Sequence, residues 1–122
     1  MQKQGGFTLI ELVAVLVILA ILAVVAVPQF VDLRSDAQQA ATDGVAGALS
    51  SGATLNYAVR SVNAGSGVAV TNCTNIASTL TGGAMPTGYT ITAGAVTAGN
   101  TANCTLNGPG GKTATFTAIG IN

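Results

Sequence analysis

Gly6-Phe7-Thr8-Leu9-Ile10-Glu11 opens a run of apolar residues that continues almost without interruption to Val27, and Glu11 is the one charge inside it. As a helix, residues 7–27 extend roughly 30 Å at 1.5 Å per residue, the thickness of a bilayer's hydrocarbon layer. A carboxylate in such a segment costs roughly 2.5–3.5 kcal/mol on insertion scales, so it calls for a partner or a function that offsets the cost. The run supplies no cation. A cut between Gly6 and Phe7, however, creates a positive α-amino group just outside the helix start. One subunit's amine then meets a neighbour's Glu11, which makes the segment an assembly device as well as an anchor.

Lys3 precedes the run, and the positive-inside tendency therefore places the short leader in the cytoplasm and the remainder outside. The competing reading is a secretory signal peptide cut after Val24-Val25-Ala26. Such a signal has an apolar region of only about 7–15 residues, and a disposable signal gains nothing from Glu11.

Pro28 removes a backbone donor and crowds the preceding turn, which predicts a bend or local loosening. The helical pattern then resumes. Phe30, Leu33, Ala37, Ala41, Val45, Ala48, Gly52, Leu55, Val59 and Val62 recur at steps of three and four, as one face of a helix does. Gly44, Gly47 and Gly52 each cost about 1 kcal/mol of helix propensity relative to Ala, and close approach of the sheet or a neighbouring helix is the expected return. Asn63-Ala64-Gly65-Ser66-Gly67 stops the helix. Beyond it Thr, Val, Ile, Gly and Asn favour strands and turns. Strands are expected at 88–93, 102–106 and 113–119, with a connecting loop over 68–87 and a turn over 107–111.

The reading is α+β: a leader at 1–6, an apolar helix at 7–28, an amphipathic continuation at 29–62, and a small β-rich head at 63–122. The helix's outer half packs on a small antiparallel sheet. Cys73 and Cys104 both follow the apolar run, where translocation favours a disulfide between them. Asn72-Cys73-Thr74 and Asn103-Cys104-Thr105 each fit a glycosylation pattern, which arises readily by chance in a chain this rich in Asn and Thr.

Composition narrows the function. The chain has 122 residues, no formal net charge and 7% charged residues, so no basic surface is present for neutralising phosphates, and nucleic acid is not an expected partner. Histidine is absent, and the four acidic residues fall in the helical portion with Asp32 and Asp36 one turn apart, the spacing of a solvated face. Gly110-Gly111-Lys112-Thr113 resembles the end of a phosphate loop, but Leu106 stands where the first glycine is required, and a strand is expected to follow. No enzyme, metal or cofactor is expected.

Gly6-Phe7-Thr8-Leu9-Ile10-Glu11, the apolar run behind it and Pro28 together resemble the N-terminus of a type IV prepilin. In that family a membrane prepilin peptidase cuts after the glycine and methylates the new N-terminus. The resemblance therefore implies cleavage between Gly6 and Phe7 and N-methylation of Phe7. Glu11 matches the family's glutamate at the fifth mature position, implicated in pairing with a neighbour's N-terminal amine, and Pro28 matches the proline at the twenty-second. Ala20 stands where many members carry a glycine, which leaves more of the local loosening to Pro28. The stretch from Pro28 through the Ala-rich helix is most similar to the mannose-sensitive haemagglutinin type of pilin. The resemblance implies a single-pass inner-membrane precursor held by lipid, a pilus assembly machinery as partner, and a helical homo-oligomer at the cell surface that serves adhesion. A pseudopilin of a secretion system shares the same processing and helix.

Overall fold

The computed structural model describes residues 5–122, so the first four residues of the expected leader, Lys3 among them, lie outside the described residues. Helix α1 runs from Leu9 to Val62 and is unbroken across Ala20 and Pro28. The chain divides into two compact units, Met1–Ser35 and Asp36–Asn122. In the first unit, the large apolar side chains of α1 from Leu9 to Val27 are exposed. By length and composition the helix can cross a membrane.

In the second unit, α1 is followed by a 3-10 turn at Cys73–Thr79 and by strands β1 (Thr90–Ile91), β2 (Thr101–Asn107) and β3 (Thr113–Ile119). The strands form one antiparallel sheet in the order β1-β2-β3, with Cys104 opposite Phe116 and Leu106 opposite Ala114. Alternation follows from the pleat. Cys104, Leu106, Phe116 and Ala118 point into the core, while Thr101, Asn103, Thr105, Thr113, Thr115 and Thr117 face out. The core joins these sheet residues to Ala46, Leu49 and Ala53 of α1 and to Val70, Cys73, Ile76 and Val96 of the connecting segments. Burying a side chain such as Leu49 contributes about 1.5–3 kcal/mol.

The face of α1 that packs here is not the expected apolar stripe. The buried positions are Thr42, Ala46, Leu49, Ala53 and Asn56, again at steps of three and four, but on the adjoining face. Small side chains explain the choice: Ala46 and Ala53 let the sheet approach closely around Leu49, and Thr42 satisfies its hydroxyl internally by donating to the Gln38 carbonyl at 2.7 Å. The bulkier stripe of Leu55, Val59 and Val62 is left 68%, 49% and 89% exposed.

The outer edge of β3 is met by α1. Gln39 Nε2 donates to the Thr113 carbonyl at 3.0 Å, and the Thr117 N–H donates to Ser50 Oγ at 3.1 Å. Free strand edges otherwise present a template for further pairing. The expected strand at 88–93 contracts to Thr90–Ile91. The expected turn at 107–111 is in place, tightened by a 3-10 turn at Pro109–Gly111, where Gly110 holds φ 68°, a region open to glycine at little cost.

Candidate functional site

Thr8 immediately precedes α1 and Glu11 is its third residue, so the pair occupies the two key positions of a capping box. The Thr8 N–H donates to Glu11 Oε2 at 2.9 Å, and the Thr8 hydroxyl donates to the same oxygen at 2.8 Å. In return the Glu11 N–H donates to Thr8 Oγ1 over 3.4 Å. Helix starts leave four backbone N–H groups without intrahelical partners, and their partial positive charge favours a carboxylate in the first turn. Glu11 therefore has a local structural role beside any role between subunits. Charge alone did not disclose it; the signal was the Thr8-x-x-Glu11 spacing just before an apolar run.

Both capping bonds use Oε2, and Glu11 is exposed. Phe7, 80% exposed, lies one residue ahead of the cap. Gly5 and Gly6 have open space where a Cβ would stand, so the bond between Gly6 and Phe7 lies in an uncrowded stretch before the helix. Pro28 lies inside α1, and its missing donor leaves the Val24 carbonyl without its helical partner.

In the head, Cys73 and Cys104 form a disulfide with 5.8 Å between Cα atoms, tying the start of the 3-10 turn to the middle strand. Asn72 caps that turn: its Oδ1 accepts from the Thr74 N–H at 3.1 Å and its own N–H donates to Asn75 Oδ1 at 2.8 Å. Of the two glycosylation-like asparagines, Asn72 is thus engaged in the fold, whereas Asn103 is exposed on the outer sheet face. Asn56 is a further residue that sequence reasoning missed. Nearly buried at 7%, it donates from Nδ2 to the Val68 carbonyl at 2.9 Å and accepts the Val68 N–H at 2.7 Å. Its position on the packed face of α1 was the available signal. Among the described residues no three His, Cys, Asp or Glu gather where they could hold a metal ion.

Residues 1–27 match the family model of the prokaryotic N-terminal methylation motif. No curated protein and no solved structure matches the chain. Beside the motif match stand the apolar helix and the disulfide-closed α+β head, an architecture like that of type IV pilins. Such a motif implies processing by a prepilin peptidase and anchoring in a membrane before assembly.

Proposed function

We propose that this chain is the structural subunit of a type IV pilus. A prepilin peptidase removes residues 1–6 between Gly6 and Phe7 and methylates Phe7. Segment 7–28 holds the subunit in the inner membrane, with its N-terminus cytoplasmic, until the assembly machinery moves the helix from lipid into a bundle of identical helices. Residues 29–62 continue that helix, and 63–122 form the head displayed at the surface. Pro28 supplies the local loosening that packing requires.

The observation that carries this reading is the methylation motif continuing directly into a helix whose apolar side chains are exposed. Lipid and helical bundle are both apolar, so the transfer itself gains little hydrophobic energy, and specific contacts must set register and direction. The carboxylate of Glu11 and the methylated amine of a neighbour's Phe7 provide one. A contact of this head-to-tail kind that does not close on itself generates a filament. The disulfide between Cys73 and Cys104 favours a pilin over a pseudopilin, because a head displayed outside the cell gains from a covalent staple. Resemblance to the mannose-sensitive haemagglutinin type favours surface attachment as the task.

Intact mass and N-terminal sequencing of the membrane-extracted protein test the processing. The expected chain starts at N-methylated Phe7; a start at Val27 means conventional secretion. Electron microscopy of sheared surface fibres separates pilin from pseudopilin.

A further inference from the structure

Asn107-Gly108 joins β2 to the turn before β3, and of the chain's asparagines Asn107 alone is followed by a glycine. That dipeptide has a chemistry of its own. With no Cβ beside it, the Gly108 nitrogen is the least crowded backbone nucleophile that an asparagine side chain can meet. We infer that Asn107 is a site of spontaneous deamidation, held off by the folded turn and released when the turn between β2 and β3 opens. The reaction needs only water. The Gly108 nitrogen loses its proton and attacks Asn107 Cγ, the side-chain amide leaves as ammonia, and a cyclic succinimide closes. Water then opens the ring at either carbonyl and leaves an aspartate or an isoaspartate at 107. The isoaspartate carries the chain through its Cβ, which adds a carbon to the backbone of β2 at its pairing with Thr113.

The fold holds the first step back through backbone and side chain together. Asn107 is extended and paired with Thr90 on one side and Thr113 on the other. Ring closure requires its ψ to leave the extended range, which breaks those pairings. The nucleophile is engaged as well, because the Gly108 N–H donates to the Lys112 carbonyl at 2.7 Å. Asn107 Nδ2 donates to Thr92 Oγ1 at 3.0 Å, which holds the side chain across to the end of β1. The glycine itself is not exchangeable: a Cβ at 108 would overlap Thr42 Oγ1 of α1 and stand 3.1 Å from Tyr89 Cε1. Close approach of α1 thus fixes the reactive dipeptide in place, and hydrogen bonding keeps it unreactive while the head is closed.

Tandem mass spectrometry of the full chain in detergent, incubated at mildly alkaline pH, reads the conversion of each asparagine to an acid. Each conversion also adds a negative charge to a chain of no formal net charge, so isoelectric focusing follows the same change independently. Reducing the disulfide or adding urea raises the rate at Asn107 by about tenfold or more, as opening of the turn becomes frequent, and Asn107 converts ahead of Asn63, Asn100 and Asn103. Thr92→Val removes the acceptor of the Asn107 amide, keeps a strand-forming side chain, and raises the rate in the folded chain about three- to tenfold, the worth of one hydrogen bond. Asn107→Gln silences the site. Equal rates in the native and urea-opened chains, or in Thr92→Val and the unaltered chain with both folded by circular dichroism, overturn the gating. Faster conversion of another asparagine in the opened chain overturns the choice of site.

Discussion

Thr8 and Glu11 satisfy each other across the first turn of α1: two donors of Thr8 reach Glu11 Oε2 at 2.9 and 2.8 Å, and the Glu11 N–H reaches back to Thr8 Oγ1 over 3.4 Å. A carboxylate in a lipid-length segment is therefore compensated in part before any neighbour arrives. This separates two roles that the sequence presents as one. The cap orders the helix start of the single chain, and the proposed inter-subunit pair uses the same carboxylate at the same helix end.

Thr8→Ala tests the separation. It removes the cap and costs about 1 kcal/mol at the helix start, which speeds amide hydrogen exchange in the first turn. Processing and fibre growth persist. Glu11→Ala removes cap and counter-ion together, leaving processing intact while fibres fail to grow. If Thr8→Ala stops fibre growth as completely as Glu11→Ala, the role of Glu11 is confined to the cap.

The disulfide between Cys73 and Cys104 closes a loop of sequence separation 31. On chain-entropy grounds it contributes about 3–4 kcal/mol to a head with a small core. Replacing both cysteines with serine lowers the thermal midpoint by roughly 15–25 °C for a domain of this size. Circular dichroism melts with and without reductant measure this. A change of only a few degrees means that packing of Ile76 and Leu106 holds the head without the staple.

Gly52 and Gly44 predict opposite outcomes for the same substitution. A Cβ at Gly52 stands 2.6 Å from Thr79 Oγ1, whereas one at Gly44 meets nothing within 4 Å. Gly44→Ala therefore stabilises the detergent-solubilised subunit by about 0.5–1 kcal/mol through helix propensity. Gly52→Ala destabilises it by about 1–2 kcal/mol, because overpacking against Thr79 exceeds the propensity gain. Chemical denaturation of both variants checks the pair of signs.

Asn56→Ala leaves the Val68 N–H and carbonyl without their partners. Loss of two such bonds at a nearly buried site costs about 2–3 kcal/mol. Denaturation gives the magnitude, and faster exchange of the Val68 amide locates the loss.

The sequence made the long-range architecture legible where its signals were redundant. The end of α1 at Val62 was marked by Asn63 and Gly65, and β3 coincides with the Thr-rich alternation from Thr113 to Ile119. Strand β2, expected at 102–106, extends one residue further at each end. The segment from Thr92 to Asn100 was less legible, because backbone bonds such as Val96 N–H to the Thr71 carbonyl hold it in isolated pairings without side-chain periodicity. The packed face of α1 was misjudged for a related reason: hydrophobic size pointed to Leu55 and Val59, while close approach selected Ala46 and Ala53. At the N-terminus, spacing and charge drew attention to Glu11, but its partnership with Thr8 required attention to the cap.

The most direct test of the central claim is an atomic structure of the assembled fibre, read at a single distance. The account predicts that one Glu11 carboxylate oxygen lies within about 4 Å of the methylated Phe7 nitrogen of an adjacent subunit, in a bundle of processed helices. A fibre in which Glu11 bonds only to its own Thr8, with the neighbouring amine elsewhere, contradicts it.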